Sequence, residues 1–504
     1  MNYKSTRSND VSVSSAQAIA QGICSDGGLF VPENLPRFSY ADLCELQPVD
    51  YTERAAHILS EFLSDFTMDE ISDCVKKAYT GEKFDKNLPA PLSHLQNGRI
   101  NMYLLELWHG PTCAFKDMAL QLLPHLLTRS LKKINSSKTA VILVATSGDT
   151  GKAALEGFKN VDGTRILVFY PQNGVSPMQK RQMNTQEGNN VSVCAIAGNF
   201  DDAQTGVKKL FTDTGINDLL ERNDMMFSSA NSINWGRLLP QIVYYFSAYC
   251  DLMARGEIDH EGERVNIVVP TGNFGNILAA YYAKKMGLPI HKLICASNSN
   301  NVLTEFLNTG VYNRSRHFYT TISPSMDILV SSNLERLLYD LTGGDSKRVA
   351  DWMNELSVKG KYQVDEDVLK QLHELFYAGY CDDDATRATI KGIYHTENYL
   401  CDTHTAVAIN VYHQYVNDTN DDKTPAIVVS TASPYKFADS VLSAVTKDYS
   451  LDTSEFAKVK ELSAVTGTPI PAPIATLESK PVRFNNICTK GTMGEIVLKM
   501  AGIE

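Results

Sequence analysis

Lys116 is the residue whose type and position best suit covalent chemistry. It lies where a loop containing Gly110 and Pro111 runs into a predicted helix with core-type spacing of apolar residues. Such a lysine is partly buried, and desolvation favours the neutral amine. A neutral amine can attack a carbonyl and form a Schiff base. Considered alone, the residue fits better as a lysine on a first helical turn with its ammonium in water.

Three predicted turns from strand to helix could bind anions. The first, residues 145–151 (ATSGDTG), follows the apolar run 139–145 and presents amide N–H groups and hydroxyls at the start of a helix. These donors suit a carboxylate or a phosphate, and plain helix capping is an equal alternative. The turn is not a Walker loop, because it lacks a glycine five residues before Gly151 and a hydroxyl residue after Lys152.

The second turn, residues 270–276 (PTGNFGN), lies between an apolar strand and a helix. Its glycines let the backbone approach a ligand closely, and the helix N-terminus adds donors and a dipole, so it is predicted to bind a phosphate. An ordinary glycine-rich turn is the alternative. The missing pattern G-x-G-x-x-G disfavours a nucleotide-binding oxidoreductase. The third turn, residues 430–437 (STASPYKF), presents hydroxyls at a strand end, where open α/β sheets place ligands, although considered alone it fits better as a plain hydroxyl-capped turn.

The composition is ordinary for a globular protein and disfavours several classes of partner. The 504 residues suffice for two or three domains, and 43% are hydrophobic and 21% charged. A net charge of −11 favours neither nucleic acid nor an anionic membrane as a partner. We recognise no signal peptide and no apolar run of the about 18–20 residues that span a bilayer. The ten cysteines form no C-x-x-C pair, so we expect a cytoplasmic protein without a metal site.

The chain divides into two regions of different pattern. Residues 1-95 predict a mainly helical domain, in which Ser39 can cap one helix and Thr67 with Glu70 forms a capping box for another. Strands and helices alternate in residues 96-504, which predicts right-handed crossovers and parallel sheets. We expect a large domain here, with a smaller α/β domain inserted at about 130-235. The predicted fold is α/β, with two open parallel-sheet domains plus the helical N-terminal domain.

Several motifs together resemble the threonine synthase family, in its longer form with an extra N-terminal domain. In chain order they are HGPTCAFKD, ATSGDTG, SSANSINWGR, PTGNFGNILAAYYAKKMGLP and STASPYKFADSV. One such motif alone would be weak, but the ordered set spans most of the chain. The resemblance implies pyridoxal 5'-phosphate as the cofactor and the pyridoxal-phosphate fold type II, as in the tryptophan synthase β-like enzymes.

The resemblance also implies roles for individual residues. Lys116 would form a Schiff base with the cofactor and then move protons. The implied cofactor-binding residues are Asp149 near the ring oxygen, Thr431 at the pyridine nitrogen, and the phosphate loop Gly272, Asn273, Phe274, Gly275 and Asn276. The implied substrate-binding residues are Ser147, Gly148 and Thr150 for a carboxylate, and Asn231, Ser232 and Arg237 for the substrate's phosphate. A neutral hydroxyl at the pyridine nitrogen makes the ring a milder electron sink than an aspartate would.

The reaction implied by the resemblance converts O-phospho-L-homoserine and water into L-threonine and phosphate, the last step of threonine biosynthesis. Lys116 would take a proton from Cα and then one from Cβ, phosphate would leave from Cγ, and water would add at Cβ. A serine/threonine dehydratase or a β-replacing synthase on the same fold is the nearest alternative, and it would lack a second phosphate subsite. A cofactor-binding protein without catalysis is a further alternative. We expect a monomer or a homodimer.

Three positions in two segments depart from the family pattern. The sequence ASPYK, with Ser433 and Tyr435, stands where several relatives have AHPAK, so a histidine near the pyridine edge is absent. Thr403 stands where relatives often have proline. A structural role is favoured for the adjacent His404 over a place in the site.

Overall fold

The computed structural model of the chain describes residues 1–85, 88–96, 101–146, 148–173, 175–447 and 453–503. Its N-terminal part combines a small antiparallel sheet with helices. The strands are β1 (Asn2–Ser5), β2 (Ser12–Ser14) and β3 (Phe30–Pro32), and the helices are α1 (Ser15–Gln21), α2 (Tyr40–Leu46), α3 (Tyr51–Phe62) and α4 (Met68–Tyr79). Ser39 and Thr67 close capping boxes at the starts of α2 and α4, as predicted.

From residue 92 onward, strands and helices alternate. The first elements are β4 (Leu92–Leu95), β5 (Met102–Glu106), α5 (Lys116–Leu120) and α6 (Leu123–Lys133). The next are β6 (Thr139–Ala145), α7 (Asp149–Phe158), β7 (Thr164–Pro171), α8 (Pro177–Asn184), β8 (Val191–Ile196), α9 (Phe200–Phe211), α10 (Thr214–Arg222) and β9 (Met225–Ser228). The remaining elements are α11 (Trp235–Ala254), β10 (Val265–Pro270), α12 (Gly275–Met286), β11 (Ile290–Ser297), α13 (Val302–Thr309), β12 (Val311–Asn313), α14 (Leu334–Leu341), α15 (Ser346–Lys359), β13 (Lys361–Gln363), α16 (Glu366–Leu375), β14 (Phe376–Tyr380), α17 (Asp383–Glu397), α18 (Thr403–Thr419), β15 (Ala426–Ser430), α19 (Ala438–Val445), α20 (Glu455–Thr466), α21 (Ala472–Ala475), β16 (Ile487–Cys488) and α22 (Met493–Ala501).

Two open sheets organise this part of the chain. The larger has the order β14-β11-β10-β15-β5-β4 and is parallel except for β4. The smaller has the order β16-β8-β7-β6-β9 and is parallel throughout. Both faces of β6 and β10 are buried, as their continuous apolar runs predict. The predicted α/β fold, with two open parallel sheets and a mainly helical N-terminal region, is confirmed.

The end of the chain returns to the smaller sheet. There β16 pairs with β8 through Ile487 and Ala195, and Met493 of α22 packs closely against Gly206 of α9. The smaller sheet therefore takes strands from residues 139–228 and one more from residues 487–488. The domain limits at residues 1-95, 96-504 and about 130-235 stay a proposal. In the described part of the chain, no helix has both the length and the apolar character needed to cross a bilayer.

Three neighbouring strands of the larger sheet bring three loops to one edge. Strand β15 pairs in parallel with β10 on one side and with β5 on the other. Their carboxyl ends at Pro270, Ser430 and Glu106 therefore lie at the same edge of the sheet. The loops that follow lead to α12, to a short 3₁₀ turn at Pro434–Phe437, and to α5. This edge is where open α/β sheets place ligands.

Gly157 allows α5, the helix that begins at Lys116, to pack closely against α7, which follows strand β6 of the smaller sheet. A β-carbon on Gly157, in the last turn of α7, would lie 1.9 Å from the carbonyl oxygen of Leu120 at the end of α5. Only a hydrogen atom fits at this contact. The glycine therefore fixes how closely α7 approaches α5.

We predict that Gly157→Ala lowers the free energy of unfolding by about 1–3 kcal/mol, because the added methyl group must push two backbones apart. Gly392 of α17 is the matched control, since a β-carbon there would meet no atom within 4 Å. Gly392→Ala should be neutral or stabilise the protein by up to about 1 kcal/mol. Urea unfolding followed by circular dichroism measures both. Equal unfolding midpoints for the two variants would contradict this account of the α5–α7 contact.

Candidate functional site

The loop before α5 lies along the strand end of β15, which places Lys116 beside Thr431. The backbone N–H of Leu107 donates to the carbonyl of Ser430 at 2.9 Å, and the N–H of Phe115 donates to the carbonyl of Thr431 at 2.8 Å. Lys116 follows directly as the first residue of α5. The predicted amine and the predicted hydroxyl position are thus brought together by main-chain hydrogen bonds.

Asp117 holds the loop in front of the lysine. Its buried carboxylate accepts hydrogen bonds from the Thr112 N–H at 2.8 Å and from the Thr112 hydroxyl at 2.7 Å. A β-carbon on Gly110 would lie 2.6 Å from Asp117 Oδ2, so the loop can pass this close only because residue 110 is glycine. Burial raises the pKa of Asp117 to about 6, against the lowering effect of the Thr112 hydrogen bonds.

Asp149 is shared between two lysines. Its Oδ2 lies 3.8 Å from Lys116 Nζ, and its Oδ1 lies 2.7 Å from Lys436 Nζ. Gln179 donates to the same Oδ1 at 2.9 Å. The Lys436 side chain is fully buried, whereas 12% of the Lys116 side chain remains exposed. Lys116 is therefore the lysine that a small molecule can reach.

Burial and neighbouring charges together determine the pKa values of Lys116 and Asp149. Burial lowers the pKa of Lys116 to about 8, while Asp149 raises it and the cations Lys436 and Arg237 lower it further. For Asp149, burial alone would raise the pKa, but Lys436 and Lys116 override it and hold the pKa well below the ordinary value. A substantial fraction of Lys116 is consequently a neutral amine at mildly alkaline pH.

The predicted phosphate loop is tightly built at the start of α12. Phe274 has φ of 63°, in the left-handed region, and precedes the first residue of the helix. A β-carbon on Gly272 would lie 2.7 Å from the carbonyl oxygen of Ser325. The carbonyl of Asn273 accepts hydrogen bonds from the backbone and the side chain of Asn333, at 3.1 and 3.0 Å. These contacts hold the loop in the conformation that leaves the first amides of α12 free for an anion.

Asn276 supplies an additional donor at this helix start. Its Oδ1 accepts hydrogen bonds from the hydroxyls of Tyr244 and Tyr245, at 2.6 and 2.5 Å, which orients the amide group. Its Nδ2 is buried and has no hydrogen-bond partner in the described structure. An orphaned buried donor is costly unless a ligand satisfies it. The side chain therefore indicates an anion or another acceptor at the start of α12.

Arg237 provides a second orphaned donor. Its Nη1 donates to the carbonyl of Ala230 at 2.7 Å, but its buried Nε has no partner within the described part of the chain. Burial lowers the pKa of Arg237 to about 10, so the guanidinium stays charged at neutral pH. Arg237 and Tyr244 lie seven residues apart on one face of α11. The rise of a helix separates the Cα atoms of Arg237 and Tyr244 by about 10 Å along α11, and Tyr244 is one of the residues that hold Asn276.

The turn before α7 contributes mostly through its backbone. Gly148 has φ of 147°, and a β-carbon there would lie 2.4 Å from the amide group of Gln179, so glycine alone fits. Thr150 is half-buried in the first turn of α7. Ser147, a predicted carboxylate ligand, lies outside the described residues. The roles of Gly148 and Thr150 stay predictions.

Two other predicted phosphate ligands lie before α11. The hydroxyl of Ser232 is 3.2 Å from that of Ser332, and Asn231 is half-buried with its carbonyl accepting the N–H of Asn234 at 3.1 Å. Asn234 in turn caps α11, its Oδ1 accepting from the Gly236 N–H at 2.8 Å. These contacts fix the segment that leads into Arg237, and the roles of Asn231 and Ser232 in binding stay predictions.

Ser325, which we did not predict, joins the two halves of the site. Its hydroxyl lies 3.5 Å from Asp149 Oδ2, and its carbonyl crowds Gly272 in the phosphate loop. Its backbone N–H donates to Nε2 of His404 at 3.1 Å, and Nδ1 of His404 lies 2.7 Å from Asp402. Both ring nitrogens of His404 are thus engaged by protein groups, which supports the structural role favoured for it.

The residues that depart from the family pattern also make protein contacts. Ser433 is buried and its hydroxyl accepts the N–H of Tyr435 at 3.4 Å. The hydroxyl of Tyr435 donates to the carbonyl of Thr468 at 2.6 Å. Both side chains hold the 3₁₀ turn that carries Lys436.

Sequence reasoning missed Lys436, Gln179 and Ser325. Lys436 had one usable signal, since it stands between Tyr435 and Phe437 directly after a buried strand, where a lysine needs a partner. Gln179 and Ser325 carried no such signal. They reach Asp149 only because the fold brings α8 and the Pro324–Met326 turn to it.

The fold and the site are those of the pyridoxal-phosphate-dependent enzymes. The family model described as Pyridoxal-phosphate dependent enzyme matches residues 85–366. Models described as Threonine synthase N terminus and Threonine synthase, C-terminal match residues 2–79 and 405–492. The chain belongs to the threonine synthase family.

Individual relatives agree with these models. The threonine synthase of Saccharomyces cerevisiae is 36% identical over 492 residues, which are 92% of this chain and 93% of that protein. The structure of a pyridoxal-phosphate-bound threonine synthase from Brucella melitensis matches with a TM-score of 0.86 and 36% identity, over 99% of each chain. The threonine synthase-like 1 protein of Homo sapiens is 43% identical over 441 residues, which are 85% of this chain but only 58% of that protein.

The residues present fit pyridoxal phosphate. An aldehyde requires an accessible amine of lowered pKa, which Lys116 offers. A phosphate group requires unpaired donors at a helix start, which α12 and the orphaned Asn276 Nδ2 offer. Thr431 is buried next to the lysine and could offer a neutral hydroxyl to a ring nitrogen.

We predict that borohydride reduction in the presence of pyridoxal phosphate labels Lys116 and leaves Lys436 unlabelled. Both amines lie near Asp149, but Lys436 is fully buried and ion-paired, whereas Lys116 is accessible and partly neutral. Peptide mass spectrometry locates the label, and Lys116→Ala should remove it. A label on Lys436 in the unmodified sequence would contradict the assignment of the reacting amine.

Proposed function

We propose that this protein is a threonine synthase, which converts O-phospho-L-homoserine and water into L-threonine and phosphate. The observation that carries the proposal is that two buried donors on different helices lack partners in the described structure, Asn276 Nδ2 at the start of α12 and Arg237 Nε near the start of α11. We assign the cofactor's phosphate to Asn276, at the start of α12. A second phosphate, on the substrate, suits the other.

The cofactor supplies, when bound, an aldehyde that condenses with amines and a ring that withdraws electrons from the substrate's α-carbon. The protein supplies the base that moves protons and the groups that position this base and the substrate. Lys116 Nζ, neutral in part at mildly alkaline pH, takes the proton from Cα and then one from Cβ, and returns protons at the end of the reaction. Asp149 lies 3.8 Å from this nitrogen and orients it.

The substrate's phosphate is both the anchor and the leaving group. Arg237 binds it through a planar guanidinium that can donate two parallel hydrogen bonds. Since the guanidinium is buried, its attraction to a dianion is only weakly screened by water. Binding energy from this group positions the Cα–H bond against Lys116 and stabilises phosphate as it departs from Cγ.

Net charge within the site favours an anionic substrate. When Lys116 is protonated, the three basic groups Lys116, Lys436 and Arg237 outnumber the two carboxylates near that lysine, Asp149 and Asp117. A serine or threonine dehydratase would need no such excess of positive charge beyond its cofactor phosphate. The proposal includes a cytoplasmic location, a monomer or homodimer, and no nucleic-acid partner, as expected from the sequence.

We predict that Arg237→Gln lowers kcat/KM for O-phospho-L-homoserine roughly 30- to 1,000-fold, while the protein keeps its cofactor. This factor corresponds to a loss of about 2–4 kcal/mol of transition-state stabilisation. The substitution removes charge-assisted hydrogen bonds to the substrate's phosphate, and it leaves the cofactor's phosphate loop before α12 unchanged. Released inorganic phosphate measures the rate, and visible absorbance measures bound cofactor.

Arg255→Gln is the control, because Arg255 donates to the carbonyl of Leu92 at 2.9 Å, and no hydrogen bond or ion pair in the described structure joins it to the Lys116–Asp149 group. It should leave the rate unchanged. Ammonia released from serine or threonine faster than phosphate from phosphohomoserine would overturn the proposed function in favour of a dehydratase. Loss of cofactor in Arg237→Gln would instead show that Arg237 belongs to the cofactor's subsite.

A further inference from the structure

Lys436 is a buried cation that the proposed reaction does not use. Its side chain is fully buried on the 3₁₀ turn Pro434–Phe437, and its ammonium donates to the carbonyl of Thr112 at 3.0 Å and pairs with Asp149 Oδ1 at 2.7 Å. Removing an ammonium from water is costly, so a buried lysine is expected only where its partners are well placed. Both partners of Lys436 lie within the group that surrounds Lys116.

We propose that Lys436 is a positioning residue for the reacting amine. Fixed between Thr112 and Asp149, its ammonium holds the Asp149 carboxylate in place beside Lys116 and keeps Lys116 available as a neutral nucleophile. The inference rests on the assignment of Lys116 as the reacting amine under the proposed function.

The geometry explains how one lysine can act on the other. Asp149 uses its two oxygens on different cations, Oδ1 on Lys436 at 2.7 Å and Oδ2 on Lys116 at 3.8 Å. The shorter contact belongs to the lysine that cannot be reached from outside. The ammonium of Lys436 therefore offsets part of the effect that Asp149 has on Lys116. Without Lys436, Asp149 and Lys116 would form a simple buried ion pair, which favours the protonated amine.

The same contacts tie Lys436 to the backbone in front of Lys116. Thr112, whose carbonyl accepts from Lys436, also donates its N–H and its hydroxyl to Asp117, the residue after Lys116. The ammonium thus bridges the loop before α5 to the first turn of α7. This bridge spans the two α/β units on either side of the site, since Asp149 belongs to the smaller unit.

Four charged groups near Lys116 affect the protonation of its amine. Asp149 on α7 and Asp117 on α5 favour its protonated form, whereas Lys436 on the 3₁₀ turn and Arg237 on α11 disfavour it. Removing Lys436 deletes one disfavouring charge and at the same time leaves Asp149 uncompensated. Both changes act in the same direction and raise the pKa of Lys116.

The test is the pH profile of Lys116 acetylation by acetic anhydride in the full-length chain without cofactor. Each variant must first regain its full complement of pyridoxal phosphate on addition, which shows a native site. The wild-type midpoint should lie near pH 8, in line with the pKa of Lys116. Lys436→Met should raise the midpoint, and each unit of rise lowers the labelling rate at neutral pH about tenfold. Lys436→Arg, which keeps the charge, should restore the wild-type midpoint.

Lys458→Met is the matched control, because Lys458 is also largely buried and pairs with a carboxylate, that of Asp439 at 2.6 Å. It should leave the midpoint unchanged. A Lys436→Met midpoint equal to that of Lys458→Met would overturn the proposal, as would a Lys436→Arg midpoint displaced like that of Lys436→Met. The assay contains no substrate, so a failure here is distinct from a failure to turn over phosphohomoserine.

A second comparison covers the case in which Lys436→Met does not fold. Asp149→Asn should lower the midpoint, because it removes a charge that favours the ammonium. Adding Lys436→Met to Asp149→Asn leaves no buried unpaired charge at this pair and should raise the midpoint relative to Asp149→Asn alone. An unchanged midpoint in this comparison would overturn the proposal. Failure of both Lys436→Met variants to regain cofactor would also overturn it, since Lys436 would then serve the fold rather than the amine.

Discussion

The site depends on one buried carboxylate held between two ammonium groups. Asp149 lies in the first turn of α7, in the smaller α/β unit, whereas Lys116 and Lys436 come from the loops that follow β5 and β15 of the larger sheet. A buried charge is tolerated only when it is paired and hydrogen-bonded. The two units must therefore approach each other closely enough to complete these pairs, and Gly157, against Leu120 of α5, allows that approach. Of the two lysines, Lys116 remains accessible, and burial lowers its pKa to about 8.

Helix α11 carries residues of both proposed phosphate subsites. Arg237 lies near its start, and Tyr244 and Tyr245, whose hydroxyls orient Asn276, lie about two turns later. The N-terminal region braces this arrangement. Asn234, which caps α11, donates to the carbonyl of Ile19 at 3.1 Å, and buried Arg336 donates to the carbonyl of Phe30 at 2.9 Å and to that of Ile233 at 2.6 Å. These contacts give residues 1–95 a supporting role beneath the proposed substrate's phosphate.

Much of the fold could be predicted from local pattern. The run TAVILVA predicted β6 to the residue, and the Thr67–Glu70 capping box predicted the start of α4, because apolar periodicity and capping chemistry are local properties. The helix predicted to follow the loop at Lys116 is interrupted, since α5 ends at Leu120 and α6 begins at Leu123. The return of Ile487–Cys488 to the smaller sheet was not predicted, because pairing between distant segments leaves no local signal.

Some residues of the candidate site could be predicted from the sequence and others could not. Lys116, Asp149, Arg237 and the loop 272–276 stand at strand ends and helix starts, where the sequence pattern and the family resemblance both point. Gln179, Ser325 and Lys436 contact Asp149 from three separate elements. Their part in the site follows from side-chain geometry across the fold, which no spacing in the sequence encodes. Of these three residues, Lys436 is the one with a signal in the sequence, namely its position in an otherwise apolar segment.

The most direct test is a crystal structure of the protein with pyridoxal phosphate and a phosphonate analogue of O-phospho-L-homoserine. The account predicts two phosphorus positions on either side of Lys116, one bound by the Gly272–Asn276 amides and Asn276 Nδ2, the other by Arg237. A cofactor phosphate bound away from Asn276, or a phosphonate that does not touch Arg237, would contradict it.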